Sequence, residues 1–189
     1  MVGDNGLLQG TFLEQVEGYG DVIMQSHPVQ PPDCMVVFSN SGVNAVPVDV
    51  ALGCKARGVP VIAVTSLQHA ASTRSRHSSG RTLAGVADVV IDNCVPAGDA
   101  QVRVDGLDHP VGGCSTIASM VVIQMIVAGT AQRLTAKGIR PLVIHSHNRR
   151  DTDEAGAHTS MEESVRAYGR RLGRRMTTYD TTLIPTGRS

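Results

Sequence analysis

The chain has 189 residues, enough for one domain with a substantial core, and its 41% apolar and 18% charged composition is that of a globular protein. Its formal net charge is zero, so no global field draws it to nucleic acid or to an anionic membrane. With no Trp, three Tyr and two Phe, it also lacks the stacking platforms that single-stranded nucleic acid or an extended sugar would use.

In chain order, the first strong element is an apolar strand, Met35 to Phe38, which runs into the polar turn Ser39-Asn40-Ser41-Gly42-Val43-Asn44. A helix pattern opens near Ala45 and continues through Val48, Val50 and Leu52 to Lys55. A basic last turn and Gly58 close it. A second buried strand is expected over Val59–Thr65, then a polar loop over Ser66–Gly80, a short helix around Arg81–Gly85 and a third buried strand over Ala87–Asp92. Right-handed crossovers make these three strands parallel. A long helix is expected from Ser115 to Lys137, closed by Gly138, and a fourth strand over Pro141–Ser146. Beyond it, 148–189 reads as a polar, Arg-rich extension, with a possible exposed helix over Glu162–Arg174 and a tail from Thr177.

The strand–turn–helix at 35–55 has the chemistry of an anion cradle. First-turn N–H groups have no intrahelical partner, the helix dipole adds partial positive charge, and Ser39 and Ser41 add hydroxyls. Gly42 lets backbone approach a ligand closely. In an open parallel sheet, ligands bind beyond the carboxyl ends of the strands. Those ends carry Ser39-Asn40-Ser41-Gly42, Thr65-Ser66 and Asp92-Asn93, and one shared pocket is the economical reading.

The four cysteines, Cys34, Cys54, Cys94 and Cys114, are widely spaced and adjoin strand or helix residues, so buried thiols are expected rather than disulfides or zinc ligands. His145 and His147 alternate along a strand end, but no tight ligand pattern accompanies them, and a solvated loop is the expectation there. No cofactor is called for. No basic-plus-apolar leader opens the chain, and the longest apolar run, Ile117 to Ala128, is broken by Ser119 and Gln124 and reads as too short to span a bilayer. A cytoplasmic location is the expectation.

With these residues in hand, the chain resembles the SIS (sugar isomerase) domain family. That family binds phosphosugars with a Ser-x-Ser-Gly-x-Thr turn after a parallel strand, and Asn44 stands here in place of the final Thr. It resembles in particular the UPF0309, phosphosugar-binding (phosphoheptose isomerase-like) proteins. The shared pattern lies in Ser-Asn-Ser-Gly-Val-Asn-Ala-Val-Pro, Ser75-Arg76-His77-Ser78-Ser79-Gly80, Val89-Val90-Ile91-Asp92-Asn93 and Val95-Pro96-Ala97-Gly98-Asp99-Ala100. The resemblance implies a three-layer α/β sandwich with a parallel, flavodoxin-like sheet. Nothing before Leu7 reads as the family's first strand, so the expected SIS-type domain at 1–147 is N-terminally incomplete, and an exposed sheet edge would need covering by another chain. In the UPF0309 proteins a His-Glu pair precedes the first helix, and Asp4 and Asn5 stand at those places here.

The resemblance further implies that a phosphorylated sugar contacts Ser39, Asn40, Ser41, Gly42 and Asn44, with Ser66, Ser115 and Thr116 at neighbouring loop and helix starts. An aldose–ketose sugar-phosphate isomerase, a non-catalytic sugar-phosphate sensor and a metal-dependent hydrolase all stay open as readings. His77 is the only acid–base candidate, and a weak one. A homodimer or larger homo-oligomer is expected, with no nucleic-acid or membrane partner.

Overall fold

The computed structural model describes residues 6–27, 29–141, 143, 166 and 169. Most of the expected fourth strand at 141–146, the His145–His147 pair, most of the Arg-rich extension, and Asp4 and Asn5 therefore lie outside the described residues. The chain divides into two compact units, Met1–Gln124 and Met125–Ser189.

In the first unit, two short helices, α1 (Gly6–Leu13) and α2 (Tyr19–Ser26), precede β1 (Met35–Phe38). There follow α3 (Ala45–Ala56), β2 (Val61–Thr65), α4 (Leu67–Ala71), α5 (Leu83–Val86) and β3 (Val89–Asp92). A small hairpin of β4 (Ala100–Val102) and β5 (Val111–Gly113) leads to the long helix α6 (Ser115–Ala136), which runs across the boundary between the units. The main sheet has the order β1-β2-β3, and both pairings are parallel, with Met35 opposite Val61 and Ala63 opposite Val90. This is the α/β architecture expected from the apolar runs.

Side-chain alternation divides the sheet into two faces. Met35 and Val37 of β1, with Val61 and Ala63 of β2, pack with Val48, Ala51 and Cys54 of α3 and with Leu83 and Val86 of α5. That cluster is the core. The opposite face carries Val36, Phe38, Ile62, Val89 and Ile91, of which Phe38 is 38% and Val89 52% exposed. The expectation of three buried strands therefore holds for β2 and fails for β1 and β3, which among the described residues lie at the two edges of the sheet, β1 half-buried with Phe38 exposed and β3 mostly exposed.

Local chemistry explains the element ends. Gly58, at φ 69°, ends α3 in a left-handed turn, with its N–H bonded to the Lys55 carbonyl and that of Val59 to the Cys54 carbonyl. Gly138, at φ 73°, ends α6 the same way, the Ile139 N–H reaching the Leu134 carbonyl at 3.0 Å. α2 packs against α3 at Gly20, where a Cβ would lie 2.3 Å from Asp49 Cβ and 2.9 Å from the Val46 carbonyl oxygen.

Three expectations need correcting. The stretch read as a loop after β2 contains the helix α4, whose N-cap is Ser66. The thiols are not all buried: Cys54 is, Cys34 and Cys94 are exposed, and Cys114 is half-buried. Cys34 lies ahead of β1 rather than in it, and Cys94 sits in a left-handed turn after β3 at φ 56°. Finally, α6 is 22 residues long with a mean hydropathy of 1.4 over its most apolar 18-residue window, so by length and composition it is long enough to cross a membrane. The shorter run Ile117–Ala128 understated it, because Ser119 and Gln124 interrupt the apolar stretch without ending the helix.

Candidate functional site

The turn after β1 is held from behind. The Ser39 N–H donates to the Val64 carbonyl, the Gly42 N–H to Ser39 Oγ at 3.2 Å, and the Gly42 and Val43 carbonyls accept from the Leu83 and Arg76 N–H groups at 2.8 Å each. Gly42 has φ 64°, and a Cβ there would meet Thr65 Oγ1 at 2.9 Å, so the turn closes this tightly only with glycine. Its remaining donors are open. Among the described residues, the N–H groups of Asn40, Ser41, Val43 and Asn44 have no partner, nor do the Ser41 hydroxyl and the Asn44 side-chain amide. Asn44 is the N-cap of α3 but makes no side-chain cap bond.

The helix itself contributes less than expected. The Val46 N–H is taken by the Glu14 carbonyl at 3.1 Å, and Pro47 has no N–H. The cradle is therefore made by the turn, with the α3 dipole behind it.

The other strand ends surround this turn with a bonded polar layer. Ser66 is fully buried: its N–H donates to the Asn40 carbonyl, its hydroxyl donates to the Val95 carbonyl, and the same oxygen accepts the His69 N–H. The Asn93 amide donates to Asn40 Oδ1 at 3.1 Å, and Asn40 Nδ2 lies 3.3 Å from His69 Nδ1. Asp92 Oδ1 accepts the Leu67 and Cys94 N–H groups. Ser66 thus acts through the fold here, by holding Asn40 and α4 in place.

The start of α6 is already compensated. Asp99, a non-glycine residue at φ 65°, accepts from the Cys114 and Ser115 N–H groups at 2.9 and 2.7 Å and from the Ser115 hydroxyl at 2.8 Å. Partial burial pushes the Asp99 carboxyl up, but the Ser115 hydroxyl, the Ser115 and Cys114 N–H groups and the nearby His69 outweigh it and hold the carboxyl below its ordinary value. A carboxylate on these donors occupies the place an anion would take. Thr116 is exposed beside it.

His77 lies in a separate cluster. Its Nε2 is 3.0 Å from Asp49 Oδ1 and 3.6 Å from Glu17 Oε1, and its Nδ1 is 2.7 Å from Ser79 Oγ and 3.1 Å from the Ser79 N–H. The His77 and Asp49 side chains are only 8% and 6% exposed. Asp49 also accepts the Gly18 and Gly20 N–H groups. Glu17 is held below the usual carboxylate range by the Ser78 hydroxyl and N–H, with the His77 ring adding a smaller pull. Together these contacts tie the 75–80 loop to α3 and to the α1–α2 connection.

The structure thus brings Ser39, Asn40, Ser41, Gly42 and Asn44 into one turn, places Ser66 behind it, and leaves Ser115 bound to Asp99. Sequence reasoning overlooked His69, Asp49 and Glu17. The one local signal was a hydroxyl cap, Ser66, three residues before His69. Among the described residues there is no group of three or more His, Cys, Asp or Glu placed to hold a metal ion.

Comparison with known proteins adds the following. Residues 1–66 match the family model described as SIS domain. The chain is 36% identical over 163 residues to a UPF0309 protein of Streptomyces avermitilis, covering 86% of this chain and 63% of that relative. A UPF0309 protein of Streptomyces griseus is 37% identical over 139 residues, 74% of this chain and 55% of the relative. A UPF0309 protein of Listeria monocytogenes serotype 4b is 36% identical over 167 residues, 88% of this chain and 66% of the relative. The chain spans less than two thirds of the length of these relatives, and their shared name states no activity.

Proposed function

Because the chain belongs to the SIS domain family, together with the UPF0309 proteins, we propose that it binds a phosphorylated sugar, with the phosphate seated on the turn from Ser39 to Asn44. One observation carries this reading: the N–H groups of Asn40, Ser41, Val43 and Asn44, the Ser41 hydroxyl and the Asn44 amide are all unpartnered among the described residues at the carboxyl end of β1. No lysine or arginine stands in the turn, so binding rests on hydrogen bonds and dipoles. Ser39 contributes by closing the turn, Gly42 by allowing it to close so tightly, Asn40 by its backbone N–H, and Ser41 and Asn44 by their N–H groups and side chains. In this reading Ser115 and Thr116 are assigned to the sugar and not to the phosphate, since the Ser115 N–H and hydroxyl are already held by Asp99.

An aldose–ketose isomerase is the catalytic form of the proposal. It needs a base that moves a proton between C1 and C2 while the phosphate anchors the substrate. The neighbouring carboxylates, Asp92 and Asp99, each accept backbone N–H groups, and both nitrogens of His77 have partners. These contacts favour the second reading, a sugar-phosphate sensor without turnover. The metal-dependent hydrolase reading rests on His145 and His147, outside the described residues.

The proposal includes a cytoplasmic homodimer or larger homo-oligomer. α6 has no buried residue, and Ile117, Met120, Val121, Met125 and Val127 are each more than half exposed, so an apolar surface along this helix calls for a cover.

Thermal-shift measurement against a panel of hexose and heptose phosphates, their unphosphorylated sugars and inorganic phosphate tests the binding claim. Stabilisation by at least one sugar phosphate, and by no unphosphorylated sugar alone, is expected. No shift with any phosphorylated sugar contradicts it.

A further inference from the structure

The strand-end polar layer has a direction that its endpoints set. The Val95 N–H, which can only donate, points to Asn93 Oδ1 at 3.1 Å. Asn93 must then turn its Nδ2 toward Asn40, where it meets Oδ1 at 3.1 Å. Asn40 in turn presents its own Nδ2 to His69 Nδ1 at 3.3 Å. One backbone donor thus orients two side-chain amides and leaves His69 Nδ1 as an acceptor, so in the neutral ring the proton sits on Nε2. That Nε2 has no hydrogen-bond partner among the described residues. The ring is half-buried, which leaves it reachable from solvent.

His69 is also placed for contact with a ligand. Its anchor, Asn40, is the second residue of the open turn, and the Asn40 carbonyl is pinned by the Ser66 N–H at 2.9 Å and by Thr65 Oγ1 at 3.1 Å. The His69 N–H is itself bonded to Ser66 Oγ. The ring therefore stands beside the turn, its Nδ1 held by Asn40 and its one donor unused among the described residues.

We propose that His69 is a ligand-contacting residue whose Nε2–H donates to an oxygen of the sugar, a hydroxyl or the carbonyl of the open chain, while the phosphate occupies the 39–44 turn. This rests on the reading of that turn as the phosphate site. The Val95–Asn93–Asn40 relay makes His69 a donor of fixed orientation, which selects a ligand with an acceptor oxygen at one distance from its phosphate. Inorganic phosphate has no such oxygen and does not use it.

Two substitutions separate this role from a structural one. In His69→Asn the amide replaces the Nδ1 edge, keeping the bond to Asn40 and removing the Nε2 donor. In His69→Gln the amide reaches the Nε2 position. Calorimetric titration of the full chain with inorganic phosphate and with the best-binding sugar phosphate is expected to show about a tenfold loss of sugar-phosphate affinity in His69→Asn, the size of one hydrogen bond, with phosphate affinity unchanged. His69→Gln is expected to restore most of it. Ring 15N shifts of His69 in the free protein are expected to report the Nε2–H form. Equal sugar-phosphate affinity in wild type and a folded His69→Asn overturns the role of His69 and leaves the turn standing. Loss of phosphate affinity in the same proportion as sugar-phosphate affinity makes the residue structural and also overturns it. Absence of binding of either probe to the wild type overturns the turn as a phosphate site, and the His69 proposal with it.

Discussion

Asp99 holds Ser115 by two atoms at once, accepting its backbone N–H at 2.7 Å and its hydroxyl at 2.8 Å. The start of α6 is thereby satisfied from within the chain, whereas the turn before α3 keeps its donors open. Two helix starts that look alike in sequence, each with small hydroxylated residues, are thus given different work.

This carboxyl sets an acid limit. Because its folded value is depressed, the stability it contributes is complete above the ordinary value of 3.8 and is lost as pH falls below that through the folded value. Glu17, held down first by the Ser78 hydroxyl, and Asp88, held down first by Lys55, act in the same direction. Melting temperature is expected to be level from neutrality to about pH 5 and to fall below about pH 4. Asp99→Asn is expected to melt lower at neutral pH and to show a shallower acid decline. An acid decline of unchanged steepness in that variant contradicts the assignment.

The Asp49–His77 pair is nearly buried, and removing His77 takes the hydrogen-bond partner from Asp49 Oδ1 while Oδ2 keeps the Gly18 and Gly20 N–H groups. His77→Ala is expected to cost about 1–3 kcal/mol of unfolding free energy, measured by urea denaturation, and to free the 75–80 loop for faster hydrogen exchange. A loss below about 0.5 kcal/mol would show that the loop is held by its other contacts.

Gly20 packs against α3 with no room for a methyl group, and the atoms in the way include the Val46 carbonyl of the backbone. Gly20→Ala is expected to destabilise by about 1–3 kcal/mol or more, although alanine favours helices. A neutral or stabilising result in thermal melts would mean that α2 sits further from α3.

Light scattering of the purified chain is expected to give at least a dimeric mass, and the protein is expected to stay in the supernatant when cell membranes are pelleted. A monomeric mass removes the proposed cover for α6. Recovery with the membranes would assign that helix to the bilayer instead.

The parts of this molecule carried by contiguous residues were legible in the sequence. Met35–Phe38, the polar turn and the α3 pattern follow one another without interruption, and the structure places β1 and α3 where those patterns put them. The hairpin was missed because its strands are three residues each, and β5 contains two glycines that carry no strand signal. The exposure of β3 was missed because an apolar run reports what a strand would bury, while the cover must come from elsewhere. The bonded side chains were the least legible. Asp49 and His77 are 28 residues apart, and Asn40 meets Asn93 across 53, so only the folded sheet brings them together. The same holds for His69, an isolated histidine in a polar segment until α4 sets it beside Asn40.

The central claim is that an anion sits on the turn after β1, and backbone amide shifts test it most directly. In a titration of the 15N-labelled chain with inorganic phosphate followed by two-dimensional NMR, the largest changes are expected at Asn40, Ser41, Gly42, Val43 and Asn44, with Ser115 and Thr116 nearly still. The same titration of Ser41→Ala, whose hydroxyl has no protein partner among the described residues, is expected to need several-fold more phosphate at an unchanged melting temperature. Shifts centred on Ser115 and Thr116, or none above those of a sodium chloride control, would contradict the account.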